Sequence, residues 1–179
     1  GPDPKNLISF EIFIKATAQV FKVPEKLTIE SWAASSANLL AAGLTLDLGV
    51  REASNLLDRG VKRGKITEKK AIQIKDNINP TLNDSDLSDI DITVEAVVEL
   101  ESIKSSVLSE LECGLSDPNS IITSNTSTIS ITRLATSLKR PEKFCGMHFF
   151  NPVHAMPLVE IIRGERSSDD VIAEVCSYA

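Results

Sequence analysis

Two hydrophobic periods alternate along the second half of this chain. Four short apolar runs have the length and the β-branched content of buried strands, at Asp91–Val98, Ile121–Thr123, Phe144–Phe150 and Leu158–Ile162. Between them, residues 100–111 and 128–138 read as helices, and Pro141 follows the second. Strands that alternate with helices predict βαβ units and a mostly parallel sheet. Only a short connection separates the last two runs, so we expect them to pair antiparallel at an edge.

Helical spacing dominates the first half of the chain. Residues 46–64 place apolar positions on one helical face with charges between them, which predicts a long surface helix. Thr67 begins a shorter helix, and Asn79-Pro80 ends it because the residue before proline is driven out of the helical region. Residues 1–45 read as helices over Leu7–Phe21 and Thr28–Ala42, separated by Pro24. The predicted fold class is therefore α/β, with helices flanking the sheet and a helical N-terminal segment.

Length and charge limit the kinds of protein to which this chain can belong. The 179 residues are enough for one domain with a sizeable core, and the formal net charge of −6 disfavours nucleic-acid binding. Basic residues cluster only at 62–70, which we interpret as a solvated helix face or, alternatively, as an anchor for a phosphate-bearing ligand. No apolar run reaches membrane-spanning length, so we expect no membrane span.

The three cysteines, Cys113, Cys145 and Cys176, are about thirty residues apart, so their spacing indicates no metal site and no disulfide framework. We interpret them as small buried hydrophobic residues in a reducing, cytoplasmic compartment. The chain opens with Gly1-Pro2 and stops within a promising helix that has no stop signal. We therefore expect it to be part of a larger protein.

The segment FCGMHFFNPVHAMPLVEIIRG, residues 144–164, carries the most informative chemistry. It places His148 in one apolar run and Glu160 in the next. A histidine held by a carboxylate can act as a general acid and base, whereas a lone histidine in a strand can equally be a core residue. If the two runs pair side by side, we expect these side chains to lie within hydrogen-bond distance.

Other polar residues follow the predicted strands. Glu99 closes one strand, Ser124 and Asn125 close the next, and His148 lies late in the third. In open α/β sheets, ligands bind in the crevice outside the carboxyl ends of the strands. The sequence therefore predicts a site at this edge of the sheet.

Three segments, VEAVVE at 94–99, SNTS at 124–127 and GMHFFNPV at 146–153, resemble the cofactor domain of bacterial 3-hydroxyacyl-CoA dehydrogenases, as found in the alpha subunit of the fatty-acid oxidation complex. The resemblance implies a Rossmann-like fold with NAD as cofactor. It implies that His148 takes the proton from the 3-hydroxyl, that Glu160 orients His148, and that Ser127 lies against the substrate oxygen and the nicotinamide.

The same resemblance implies a cofactor-lining set formed by Val97, Val98, Glu99, Lys104, Ser127 and Asn151. Simpler interpretations stand beside it. Ser127 could be the N-cap of a helix that begins near Thr128, Glu99 and Lys104 could form a surface ion pair, and Asn151 could be a turn residue. The second histidine, His154, is interpreted as a loop residue.

Two features depart from that family. The chain contains no GxG, and the glycine turn expected near residues 17–22 reads TAQVFK. The second strand, which should end in an acid for the ribose, is expected near residues 34–41 and reads ASSANLLA. A side chain at each glycine position would block the approach of the backbone to phosphate, so we expect dinucleotide affinity to be weakened or lost.

We therefore divide the chain into an atypical, helical N-terminal segment, 1–45, and the remainder of the cofactor domain, 46–179, without the helical domain that follows in this family. The resemblance implies NAD-dependent oxidation of (S)-3-hydroxyacyl-CoA to 3-oxoacyl-CoA in fatty-acid β-oxidation, within a larger enzyme that is oligomeric with other β-oxidation subunits. The alternative is a non-catalytic α/β module or an inactive fragment whose N-terminus mediates oligomerisation.

Overall fold

The computed structural model describes residues 36–81, 90–151, 153 and 156–179, with side chains at residue 47 and from residue 49 onward within these ranges. The elements in chain order are α1 (Ser36–Lys62), α2 (Glu68–Asp76), β1 (Ile92–Glu95), α3 (Glu101–Gly114), β2 (Ile121–Ser124), α4 (Ile131–Leu134), β3 (Phe144–Phe149), β4 (Val159–Ile162) and α5 (Asp169–Tyr178). Two 3-10 turns, Ala135–Ser137 and Pro141–Lys143, connect α4 to β3. The predicted helix Leu7–Phe21 and the predicted loop residue His154 lie outside the described residues.

The four described strands form one mixed sheet in the order β1-β2-β3-β4. The first three are parallel, and β4 pairs antiparallel with β3 at the edge, as the short connection predicted. The βαβ units β1–α3–β2 and β2–α4–β3 make this a Rossmann-like arrangement. The predicted fold class is thereby confirmed for the described part of the chain.

The sheet has an apolar core on each face because successive side chains of a strand point to opposite sides. Ile122 and Phe144 pack with α3, α4 and the first 3-10 turn in one cluster. Ile121 and Cys145, their neighbours in sequence, pack with Met147 and α5 in the other. Helices thus cover both faces of β2 and β3, which leaves the carboxyl ends of the strands as the open edge.

Local sequence signals set the ends of the helices. The side chains of Thr67 and Ser168 cap α2 and α5 by accepting the backbone N–H groups of Lys70 and Val171. Gly64 follows α1 at φ 66°, in the left-handed region that favours glycine. Its N–H donates to Val61 O, and the next amide donates to the carbonyl of residue 60, so α1 ends in a Schellman motif.

Three expected boundaries were wrong. Residues 36–42, the described part of the helix expected over 28–42, continue without a break into the helix expected over 46–64, since Gly43 and Thr45 lower helix propensity too little to interrupt α1. Only residues 131–134 of the helix expected over 128–138 are α-helical, because the Ser130 side chain caps the helix at Arg133 N and delays its start. Strand β1 ends at Glu95 rather than at residue 98.

The three cysteines do not share one environment. Cys145 is fully buried in β3, and burial, followed by the nearby Cys176, raises its thiol pKa to about 12. Cys113 and Cys176 are exposed, so the interpretation of all three as buried residues was wrong for these two. The basic cluster at 62–70 is exposed at all of its Lys and Arg positions, as expected for a solvated face. Among the described helices, none is long and apolar enough to cross a membrane.

Candidate active site

The edge pairing of β3 and β4 places His148 directly opposite Glu160. Directly opposed residues of an antiparallel pair project to the same face, so the two side chains meet. His148 Nδ1 lies 2.8 Å from Glu160 Oε2, which confirms the predicted hydrogen-bond distance. The imidazole is largely enclosed, with 16% of the side chain exposed, whereas Glu160 is 50% exposed. Phe150, two residues along β3, packs its ring edge-on at a centroid distance of 4.8 Å.

Ser127 completes a line of three polar groups. Its Oγ lies 3.1 Å from Nε2 of His148, on the opposite side of the ring from Glu160. A carboxylate can only accept at Nδ1, so the neutral imidazole carries its proton there and leaves Nε2 as the acceptor for the Ser127 hydroxyl. Because Ser130 caps α4, the alternative interpretation of Ser127 as an N-cap was wrong.

Glu99 fastens the loop that carries Ser127. Its Oε1 accepts hydrogen bonds from the Thr126 hydroxyl at 2.5 Å, from Ser127 N at 2.9 Å and from Thr128 N at 3.0 Å. Partial burial acts to raise the pKa of Glu99, but these hydrogen bonds and the Lys104 ammonium outweigh it and lower the pKa to about 2. Glu99 is therefore ionised at all physiological pH values and holds the SNTS segment in place as a carboxylate.

Lys104 pairs with Glu99, in line with the alternative interpretation, but the lysine does not lie at the surface. Its side chain is fully buried, and its Nζ lies 2.9 Å from Glu95 Oε1, 3.1 Å from Val97 O and 3.6 Å from Glu99 Oε2. Its closest carboxylate is thus Glu95, which is also fully buried at the side chain and lies at the end of β1.

The other predicted residues lie around the same edge. Val97 and Val98 both lie in the loop after β1, where Val97 is buried and Val98 is half-buried. Asn151 is exposed in a bend just beyond β3, in line with the simpler interpretation of a turn residue. The structure therefore gathers the predicted residues at the carboxyl ends of the strands, with Lys104 beneath that edge rather than on it.

One residue of the site, Glu95, was missed from sequence, and Asn125, which was expected at the end of its strand, has a structural task there. Glu95 is the first acid of VEAVVE. The available signal was a charged residue inside a run that was predicted to be a buried strand. Asn125 accepts the backbone N–H of Phe149 at 3.0 Å through its side-chain oxygen. It thereby extends the β2–β3 pairing past the end of β2 and holds the backbone next to His148.

The chemistry available here is the removal and return of one proton. Nε2 is a base whose other nitrogen is anchored to a carboxylate, and the carboxylate stabilises the imidazolium that forms when Nε2 takes a proton. Ser127 Oγ marks the position at which a second oxygen, such as a substrate hydroxyl or carbonyl, can approach Nε2. The geometry allows Nε2 to act as a general base towards a hydroxyl that occupies the position marked by Ser127 Oγ.

Fold and site together define a Rossmann-like domain with a histidine–carboxylate pair at the carboxyl ends of its parallel strands. Residues 42–179 match the family described as 3-hydroxyacyl-CoA dehydrogenase, NAD binding domain, and the chain belongs to this family. The predicted resemblance is confirmed, and NAD is the cofactor by which the family is described.

Individual relatives agree with this assignment. The chain is similar to the fatty acid oxidation complex subunit alpha of Idiomarina loihiensis, with 60% identity over 134 residues that cover 75% of this chain and 18% of that protein. It is also similar to two solved structures. The (S)-3-hydroxybutyryl-CoA dehydrogenase of Ralstonia eutropha has 39% identity and a TM-score of 0.73, with 75% of this chain and 47% of that one covered. The 3-hydroxybutyryl-CoA dehydrogenase of Escherichia coli K12 has 30% identity and a TM-score of 0.69, with coverage of 80% and 29%. The chain thus spans about a fifth of the curated relative.

The described residues fit one end of the family's cofactor. The nicotinamide ring, aromatic and cationic in the oxidised cofactor, needs space beside a few polar groups. The loop after β1, Ser127 and His148 supply such groups at the open edge of the sheet. The pyrophosphate end would fall near residues 17–22, which are outside the described residues. Residues 36–41, where the second strand was expected to end in an acid, form the start of α1.

Proposed function

We propose that this chain forms the proton-transfer side of an NAD-dependent dehydrogenase that oxidises (S)-3-hydroxyacyl-CoA to 3-oxoacyl-CoA. The observation that carries the proposal is the line Ser127 Oγ, His148 Nε2, His148 Nδ1 and Glu160, with separations of 3.1 and 2.8 Å. Alcohol oxidation needs a base for the O–H proton, and NAD, when bound, supplies the acceptor for the hydride from carbon.

Each residue has a separate task in this proposal. His148 Nε2 takes the proton of the 3-hydroxyl, while Nδ1–H remains hydrogen-bonded to Glu160. Glu160 fixes the tautomer and stabilises the imidazolium. Ser127 hydrogen-bonds the substrate oxygen and keeps it in line with Nε2. Val97, Val98, Glu99 and Asn151 line the cofactor side by analogy with the family.

A serine hydrolase uses a similar line of serine, histidine and carboxylate, but the surroundings of Ser127 argue against it. An acyl transfer needs backbone N–H groups aimed at the developing oxyanion. The N–H groups of Ser127 and Thr128 both donate to the Glu99 carboxylate, at 2.9 and 3.0 Å. A negative charge at that position repels an oxyanion, so the arrangement favours proton abstraction from an alcohol.

We further propose that residues 46–179 are the remainder of an NAD-binding domain within a larger, cytoplasmic β-oxidation enzyme that is oligomeric with other subunits of that pathway. Residues 1–45 are an atypical N-terminal segment, and the acyl-CoA is closed over by a helical domain of the whole enzyme. The family match begins at residue 42 and α1 runs through residues 45 and 46, so this boundary is not a break in the backbone.

A chimera tests the proposal, because it places these residues within a whole alpha subunit of a fatty acid oxidation complex. Residues 46–179 of this chain replace the matching segment of the Idiomarina loihiensis alpha subunit, to which the chain is 60% identical over the aligned residues. We expect NADH-dependent reduction of acetoacetyl-CoA, and a loss of roughly 10²–10⁴-fold in kcat for His148→Gln, the usual contribution of general-base catalysis.

The alternative, a non-catalytic module, makes the opposite prediction. A folded chimera that binds NADH, measured by its fluorescence, but has no turnover above background would refute the proposed chemistry. If His148→Gln loses NADH binding to the same extent as it loses turnover, the variant disturbs the fold and not a proton transfer.

A further inference from the structure

A buried ion pair lies directly beneath the candidate active site. The side chains of Lys104 and Glu95 are both fully buried, and Lys104 Nζ lies 2.9 Å from Glu95 Oε1. Glu95 also accepts Val97 N at 2.6 Å and the Ser124 hydroxyl at 2.5 Å. Lysine and glutamate are rarely fully buried, and a buried pair seldom adds net stability because both charges lose their hydration. A positional role is the better explanation of its presence.

The pair connects three elements of the site. Glu95 ends β1, Lys104 lies in the first turns of α3, and Ser124 ends β2, so the pair joins all three at the carboxyl edge of the sheet. The Lys104 ammonium also donates to Val97 O at 3.1 Å, which folds the loop after β1 around the cation. The ammonium thus donates two hydrogen bonds within the protein, to Glu95 and to Val97 O, and the Glu99 carboxylate lies 3.6 Å away.

The connection continues to the histidine. Lys104 Nζ lies 3.6 Å from Oε2 of Glu99, whose other oxygen accepts the backbone N–H groups of Ser127 and Thr128. Glu99 is therefore held on one side by a buried cation and on the other by the backbone that carries Ser127. Any movement of the Glu99 carboxylate moves Ser127 Oγ relative to His148.

We propose that Lys104 and Glu95 are positioning residues that fix Glu99 and, through it, set Ser127 Oγ on Nε2 of His148. This inference rests on the proposed function of His148. It assigns Lys104 to the support of the site, where the family resemblance alone assigns it to the lining of the cofactor. The consequence is that loss of the pair loosens Ser127 without removing a ligand of the cofactor.

Nuclear magnetic resonance of the chain tests this directly, because it has only two histidines. The ring nitrogens of His148 are assigned with His148→Gln, and amide exchange is followed at Ser127 and Thr128. The deciding variant is Glu95→Gln combined with Lys104→Met, which removes both buried charges and leaves neither unpaired. Glu101→Gln is the matched control, since Glu101 pairs with Arg133 near the same loop but does not touch residues 126–128.

In the double variant we expect the Nε2 resonance of His148 to move and the Nδ1 resonance to stay. Amide exchange at Ser127 and Thr128 should rise by about tenfold or more, the factor associated with a hydrogen bond to a charged acceptor. The control should change neither. A folded double variant with unchanged exchange and an unchanged Nε2 resonance overturns the proposal.

Should the double variant fail to fold, Glu99→Gln decides, because the Glu99 side chain is 35% exposed and its replacement leaves the buried pair intact. It must reproduce both spectral changes, and an unchanged spectrum overturns the proposal. In the chimera described above, the double variant should lower kcat with little change in the Kd for NADH. A raised Kd with unchanged kcat would show that Lys104 lines the cofactor and does not position Ser127. An inactive wild-type chimera refutes the proposed function alone and leaves the spectral result standing.

Discussion

Gly146 is the position at which a single methyl group should both destabilise the sheet and disturb the histidine. It lies in β3 opposite Ile162 of β4, two residues before His148. A Cβ at this position would lie 2.8 Å from Ile162 Cβ and 2.9 Å from Ile131 Cδ1. Ordinary carbon contacts are about 3.5–4.0 Å, so β4 or α4 would have to move by about 0.7 Å. Overpacking of this kind costs about 1–3 kcal/mol.

For a chain of this length, we expect Gly146→Ala to lower Tm by roughly 2–12 °C, at about 2–4 °C per kcal/mol. Thermal unfolding followed by circular dichroism measures this. Gly60→Ala is the control, because Gly60 lies within α1 and its added Cβ would meet only the flexible end of Ile66, at 3.2 Å. Alanine in a helix gains roughly 0.5–1 kcal/mol over glycine, so the control should match or exceed the wild type. The reasoning is refuted if Gly146→Ala is as stable as Gly60→Ala.

Three further predictions concern the site. In the chimera, Glu160→Gln should reduce kcat less than His148→Gln does, because it removes orientation but not the base; steady-state kinetics at saturating NADH compare them. In urea unfolding, Glu99→Gln should be less stable than the wild type, most fully above about pH 4.5, where the wild-type carboxylate is ionised in both the folded and the unfolded state. The difference should shrink as the pH falls towards about 2, the pKa of Glu99 in the folded chain. A difference that is independent of pH would contradict this. The chain by itself should show no reduction of acetoacetyl-CoA by NADH absorbance, since it has no glycine turn for the pyrophosphate; turnover that His148→Gln abolishes would show that residues 1–45 form a cofactor site of another kind.

The order and pairing of the strands could be predicted because hydrophobic period and connection length constrain them strongly. The short connection before Leu158 predicted an antiparallel edge, and that pairing brought His148 and Glu160 together. The exact ends of elements could not be predicted. Residues 128–138 have helical spacing, but the Ser130 side chain competes locally for the backbone and shortens the helix.

The support of the site was less accessible from sequence than its polar surface. Glu99 and Lys104 were selected by resemblance, but spacing could not distinguish an exposed pair from a buried one. The distinction depends on how tightly the loop after β1 packs, which is a tertiary property. Glu95 lies within a run that was predicted to be a buried strand, but its partner Lys104 is nine residues away in the next helix, so spacing did not reveal that the carboxylate is paired and only 2% exposed.

The SNTS segment shows why the site is sensitive to its support. Its four consecutive side chains contact four different parts of the site, in order Glu95, Phe149, Glu99 and His148. Three of these contacts are to a carboxylate or to the backbone, and only the last reaches the histidine of the proposed proton transfer. Because all four share one stretch of backbone, displacement at any of the first three displaces Ser127 Oγ as well. General-base catalysis depends steeply on the distance between the base and the hydroxyl from which it takes the proton. The first three contacts therefore set the precision with which the fourth can meet a substrate hydroxyl.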